Sequence, residues 1–159
     1  YNRHLIEGRL FYGIFGEDLW KQLGKCFYDI WFKKINLLEI EHIKILSNNT
    51  LEGIITFFED PVAIHIVSLN SFVSGKGIGK RLLEKIEAIA KQREKQTLYV
   101  ETTNDNCNAI KFYQTYGFDM YQLQIDEVSN QRILKPSIPV SGCYGIPIKH
   151  IIKFKKCIH

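Results

Sequence analysis

The run Gly75-Lys76-Gly77-Ile78-Gly79 constrains this chain most, because it stands between a β-branched segment and an amphipathic one. The segment before it, Val62 to Leu69, reads as a strand. Behind it, Leu82, Leu83, Ile86, Ile89 and Ala90 recur at three- and four-residue steps among charged residues, which predicts a helix from about Lys80 to Gln96. A strand, a glycine-rich loop over 70–79 and a helix together suit a phosphate. Glycine lets the backbone approach an anion closely, the free amides of the first helical turn point at it, and the helix dipole favours negative charge there. Lys76, Lys80 and Arg81 add formal charge. The loop does not match the Walker motif, and Lys80 stands where the third glycine of a dinucleotide fingerprint would be. A flexible surface loop is the plain alternative.

The 159 residues suit one domain with a sizeable core. From about residue 8 to 35 the pattern is aromatic and helical, with Leu10, Phe11, Ile14 and Phe15, then Leu19, Trp20, Leu23, Phe27, Ile30 and Trp31 at helical steps. Short strands are expected over Ile43–Leu46 and Leu51–Phe58, split by the turn Ser47-Asn48-Asn49, and Asp60-Pro61 then separates them from Val62–Leu69. Thr97–Thr102 reads as a strand, Asn104-Asp105-Asn106 as a loop and helix cap, and Ala109 to Tyr116 as a short helix stopped by Gly117. A strand over Phe118–Ile125 follows. The prolines and glycines of 135–147 argue for a shaped loop rather than a linker, and Ile148–Phe154 is the expected last strand.

Two stretches carry a family resemblance. Ser74 to Gly79 looks like the pyrophosphate loop of the GNAT acetyltransferases. Asn106-Cys107-Asn108-Ala109-Ile110-Lys111-Phe112-Tyr113, with Tyr116-Gly117-Phe118 after it, resembles that family's N-x-x-A-x-x-F-Y motif and trailing G-F. The resemblance covers roughly Ile43 to Phe154. It departs at Ser74, where the family usually has Arg or Gln. Lys135 to Pro139 and Gly145-Ile146-Pro147-Ile148 further resemble a bacterial subgroup with a K-P-S-I-P…G-I-P-I tail.

The resemblance implies an α/β GNAT fold: a mixed, mostly antiparallel sheet flanked by helices, with two central parallel strands splayed apart. Residues 1–159 are then one domain: a helical part at about 8–35, a cofactor-binding core at about 43–125, and the late loop and last strand at about 126–156. It implies acetyl-CoA as cosubstrate and an amine as acceptor, attacked directly without an acyl-enzyme. The cosubstrate would lie between Val62–Leu69 and Thr97–Thr102, against the amides around Val67 and Leu69, with Ser74, Gly75, Lys76, Gly77, Ile78, Gly79, Lys80 and Asn106 around its phosphates and arm. Tyr113 stands where the family has its general acid, and a phenol of pKa near 10 can protonate a departing thiolate of reference pKa about 8.5. Its plain alternative is a packed aromatic. For the base, Glu101 at the strand end and His65 inside Ile64-His65-Ile66 compete with a water chain. By two-residue alternation His65 is expected on the face of Val67 and Leu69. Tyr144 and His150, in or beside the late loop, are the expected acceptor-pocket residues.

Composition narrows the rest. A net charge of +4, with Lys149, Lys153, Lys155 and Lys156 near the end, falls short of a nucleic-acid-binding stripe. No apolar run approaches the roughly 20 residues of a membrane span, and no signal-peptide pattern stands at the start, although the first residue is Tyr1 and an earlier segment stays open. Cys26, Cys107, Cys143 and Cys157 form no CxxC pair or zinc spacing, and no His is placed to activate a cysteine nucleophile, so reduced cytoplasmic thiols and no metal are expected. A small molecule, an antibiotic, a peptide N-terminus or a lysine side chain could each be the acceptor, and a homodimer stays open. The rival reading is a non-catalytic module of the same fold that holds CoA as a sensor or scaffold.

Overall fold

The three expected strands open the part of the chain that this computed structural model describes, residues 40–159. The helical reading of 8–35, and Cys26, lie outside the described residues. β1 (Glu41–Ser47) and β2 (Thr50–Glu59) form an antiparallel hairpin turned at Asn48-Asn49. Both asparagines are left-handed, at φ 48° and 61°, as a two-residue hairpin turn requires and asparagine tolerates. Asp60 Oδ1 then accepts from the Val62 and Ala63 amides at 2.9 and 2.8 Å, turning the chain into β3 (Ala63–Ser71). After it come α1 (Ile78–Gln92), β4 (Thr97–Thr103), α2 (Cys107–Thr115), β5 (Asp119–Gln124), α3 (Glu127–Leu134) and β6 (Ile151–Cys157).

Among the described residues six strands form one sheet in the order β1-β2-β3-β4-β6-β5, in which only β3 and β4 are parallel. This is the mixed, mostly antiparallel α/β fold expected. On one sheet face Ile55 and Phe57 of β2, Ile64 and Ile66 of β3, Leu98 and Val100 of β4 and Phe154 of β6 join the core. There they meet Ile78, Leu82, Leu83, Ile86 and Ala90 of α1, the apolar stripe predicted from spacing, and Tyr113 of α2. Full burial of each Leu or Ile contributes about 1.5–3 kcal/mol. Gly53 permits this fit, since a Cβ there would run into Ile78 and stand 3.0 Å from the Asn70 carbonyl.

The parallel pair opens. β3 and β4 are in register only from Ala63–Thr97 to Ile66–Val100, although β3 runs on to Ser71 and β4 to Thr103. Against β2, Ile66 pairs with Phe57 and Ser68 with Thr56, so Val67 is an extra residue in β3. Such a bulge bends and twists its strand, and it falls where the pairing with β4 ends.

Several boundaries differ from the sequence reading. α1 stops at Gln92, earlier than Gln96, because Glu94 turns left-handed (φ 55°) and the Lys95 amide closes back on the Ala90 carbonyl at 2.8 Å. A glutamate does here what glycine usually does, so no residue type announced the stop. α3 was not expected; Val128 is its only buried residue, too weak a stripe to read. β6 begins at Ile151 rather than Ile148, because Pro147 to His150 are tied to a side chain. Asn104 Oδ1 accepts from the Lys149 and His150 amides at 2.9 and 2.8 Å, and its Nδ2 donates to the Pro147 carbonyl at 2.9 Å.

Candidate active site

The glycine loop ends as a helix cap. Gly75 and Gly77 are left-handed, at φ 77° and 65°, and Gly77 is the residue before α1. The first helical bond runs from the Arg81 amide to the Gly77 carbonyl at 3.0 Å. The amides before Arg81 therefore lack a partner within the helix, and no acidic side chain stands in that first turn. The result is a positive backbone pocket suited to an anion. The nearby lysines are engaged: Lys76 Nζ donates to the buried Glu52 at 2.7 Å, and Lys80 lies 3.7 Å from Glu84. Ser74 is exposed. A Cβ on Gly79 would lie 3.0 Å from Phe112 and 3.6 Å from Leu69, so the start of α1, helix α2 and the free part of β3 converge here.

α2 is closed at both ends by the residues the sequence singled out. Asn106 accepts from the Ala109 amide at 3.1 Å. Gly117 (φ 81°) lets the Phe118 amide reach the Tyr113 carbonyl at 3.0 Å. Tyr113 is thereby held against Phe118 and Phe154, with ring centroids 5.5 and 5.7 Å away. Phe154 pairs with Val100 across β4 and β6, so Tyr113 sits over the row where β3 and β4 part. Burial pushes its phenol well above the usual value. The hydroxyl therefore stays protonated, and burial makes it a weaker acid than a free phenol.

The two base candidates lie on the other face. Along β4, Leu98, Val100 and Thr102 are buried, and Glu101 alternates with them beyond the last parallel pair. Lys153 Nζ is 3.5 Å from its carboxylate. His65 is stacked between Phe58 at 4.7 Å and Tyr99 at 5.2 Å. Its Nε2 meets Asp60 Oδ2 at 2.7 Å, and that bond is the main cause that holds the Asp60 carboxyl below its usual value. The expected alignment of His65 with Leu69 does not hold. The Val67 bulge resets the alternation, so Ser68 takes the His65 face, where it bonds Thr56 at 2.7 Å, and Leu69 packs on the core side.

The late loop is a hairpin. The Ile148 amide bonds the Val140 carbonyl, Ser141 pairs with Pro147, and the Gly142 amide bonds the Ile146 carbonyl. At its tip Tyr144 (φ 57°) and Gly145 (φ 73°) are both left-handed, a mirror-type hairpin turn. Tyr144 is 80% exposed. His150 Nδ1 accepts from the Asp126 amide at 2.8 Å, at the start of α3, which leaves Nε2 to carry the proton of the neutral ring. Cys143 is exposed at the tip and Cys107 half-buried in α2. Sequence reading missed the residues that hold this hairpin, Asn104, Asp105 and Arg132. Single polar residues in a loop and on a weak helix give no pattern to find them by.

Comparison with known proteins agrees with this geometry. The model of the acetyltransferase (GNAT) family matches residues 14–118. The uncharacterised Bacillus subtilis proteins YxbD and YdhI are 38% and 42% identical over 103 and 106 residues, which is 65% and 67% of this chain. The matched stretch spans 65% and 66% of those relatives' length, just under two thirds. Among solved structures, a GNAT family acetyltransferase from Elizabethkingia anophelis with acetyl-CoA bound superposes with a TM-score of 0.67 at 21% identity, over 76% of this chain and 78% of that one. The opened parallel pair, the glycine cap and the family match lead to one statement: this chain belongs to the GNAT acetyltransferase family.

Proposed function

We propose that this protein is an N-acetyltransferase that moves an acetyl group from acetyl-CoA to an amine by direct attack in a ternary complex. The observation that carries this reading is the opening between β3 and β4 past Ile66 and Val100, with the amide pocket at the start of α1 beside its mouth. The neighbour from Elizabethkingia anophelis, which has acetyl-CoA bound, supports it. The amides of Gly77, Ile78, Gly79 and Lys80 hold the pyrophosphate, with Ser74, Gly75, Lys76 and Asn106 around the rest of the cosubstrate. Backbone groups near Val67 and Leu69 face the gap and pair with the pantetheine arm or polarise the thioester carbonyl.

The residues divide the chemistry across the gap. The acceptor nitrogen forms its bond to the acetyl carbon as the carbon–sulfur bond breaks. On the core face Tyr113 donates its proton to the leaving sulfur. On the other face Glu101 accepts the amine proton, directly or through water. His65 is the rival base, and its bond to Asp60 and its stacking leave it better suited to holding the sheet together. The hairpin bearing Tyr144, with His150 at its foot, borders the acceptor. Residues 1–159 act as one domain in this reading, in a cytoplasmic setting.

The test is release of CoA thiol from acetyl-CoA across a panel of amines. Turnover with at least one acceptor is expected. Tight CoA binding with no turnover on any amine would instead support a sensor or scaffold.

A further inference from the structure

The hairpin at 140–148 is fastened at two places by residues with no part in the chemistry above. At its base Arg132, on α3, donates from Nε to the Ile138 carbonyl at 3.0 Å, and from Nη2 to the Pro139 and Ile148 carbonyls at 2.7 Å each. At its tip Asp105 Oδ2 accepts from the Cys143 amide at 3.1 Å. Asp105 is 5% exposed, and Gly142 leaves it room, since a Cβ there would collide with its carboxylate. The other carboxylate oxygen, Oδ1, is buried with no hydrogen-bond partner among the described residues.

Two features of the hairpin cost stability. A buried carboxylate oxygen without a donor costs free energy, and so does a bulky residue held left-handed, as Tyr144 is. Such strain persists where the surroundings over-determine it, and here the surroundings are the two fastenings. Arginine suits the first, because its planar fork presents several donors in fixed directions. What the arrangement yields is one fixed backbone position for an exposed tyrosine at a loop tip.

We propose that Arg132 and Asp105 are positioning residues that set acceptor selectivity by holding the hairpin, and with it Tyr144, in a single pose. This rests on the reading that the hairpin borders the acceptor. A fixed ring admits amines by shape, whereas a loosened hairpin would pass them more evenly, since side chains select well only when held close to one geometry.

The test uses the full chain, acetyl-CoA and a fixed equimolar mixture of tyramine, spermidine, an aminoglycoside and a lysine-containing peptide. Acetylated products are counted by mass spectrometry, and CoA affinity is measured separately. Arg132→Ala is expected to shift the product ratios by about tenfold, with CoA affinity held within about twofold. Arg132→Lys restores part of the selectivity, because an ammonium reaches some of the same carbonyls. Asp105→Asn keeps the wild-type ratios, since its amide oxygen still accepts from Cys143, and Asp105→Ala moves them as Arg132→Ala does. Wild-type ratios from folded Arg132→Ala, or equal losses in every product and in CoA affinity, overturn the proposal. Tyr144→Ala separates the two readings. If it moves the ratios and Arg132→Ala does not, the positioning inference alone falls. If it leaves them unchanged, or if the wild type makes no product, the acceptor reading falls and takes this inference with it.

Discussion

The glycine loop and the late hairpin are both short turns with consecutive or near-consecutive left-handed residues, yet they are built differently. In the glycine loop Gly75 and Gly77 take those conformations, and among the described residues a Cβ on either would meet nothing within 4 Å. The groups this loop offers are backbone amides. In the hairpin one of the two left-handed residues is a tyrosine, its ring stands in solvent, and the backbone is fastened from behind by Arg132 and Asp105. A cosubstrate common to many enzymes can be held by groups that every residue carries. An acceptor peculiar to one enzyme has to be recognised by side chains.

The contrast breaks first at Tyr113, which belongs to neither turn and should affect rate alone. Tyr113→Phe keeps the ring against Phe118 and Phe154 and removes the proton donor. Turnover should fall by about 10²–10⁴-fold, the usual contribution of a positioned acid, with CoA affinity little changed. Unchanged steady-state turnover would mean that water protonates the sulfur. Glu101→Gln should lower the rate by about 10²-fold or more, most steeply at pH values where the acceptor amine is largely protonated. A pH–rate profile that moves without a fall in rate would shift the role to water.

Tyr144→Ala sharpens the contrast itself. It should change relative rates among acceptors by about tenfold, a side chain's worth of discrimination, while a CoA binding curve stays in place. Leu82→Ala, in the core between α1 and the sheet, should cost about 2–5 kcal/mol in denaturant unfolding with no preference for either ligand.

The smallest effects are on stability against pH. Burial raises the Tyr113 phenol above its unfolded value near 10, so the stability it contributes is intact below about pH 10 and lost as pH rises beyond that. Melting temperatures of Tyr113→Phe should decline less steeply above pH 10 than those of the wild type. Asp60 runs the other way. Its carboxyl is held low, chiefly by His65, so its contribution is present above about pH 4 and disappears as pH falls through the folded value. Asp60→Asn should flatten the acid limb slightly, because the pair is partly exposed.

What could be read in advance follows the same division. β1 to β3 were legible from Asn48-Asn49 and Asp60-Pro61, whose local chemistry dictates turns, and α1 and α2 from apolar spacing and the caps Asn106 and Gly117. The left-handed turn into α1 was legible because glycine at alternate loop positions, 75, 77 and 79, has few other uses. The Val67 bulge was not, since a bulge depends on which residues of β2 stand opposite, and spacing within β3 carries no trace of that. This is why His65 and Leu69 were expected on one face and lie on two. The hairpin was legible only as a shaped loop: its prolines and glycines announce a turn, but its fastenings come from Asp105, Arg132 and Asn104, distant in sequence and unmarked by any repeat.

The central claim is that the amide pocket at Gly77 and the opening beside it hold acetyl-CoA. Thermal unfolding with and without saturating acetyl-CoA tests it most directly, because a ligand that binds only the folded state raises the melting temperature. The wild type should be stabilised, and Gly77→Val, strained at φ 65° but free of collision, should melt cooperatively at a somewhat lower temperature and gain nothing from acetyl-CoA. A wild-type melting temperature that saturating acetyl-CoA does not move would contradict the account.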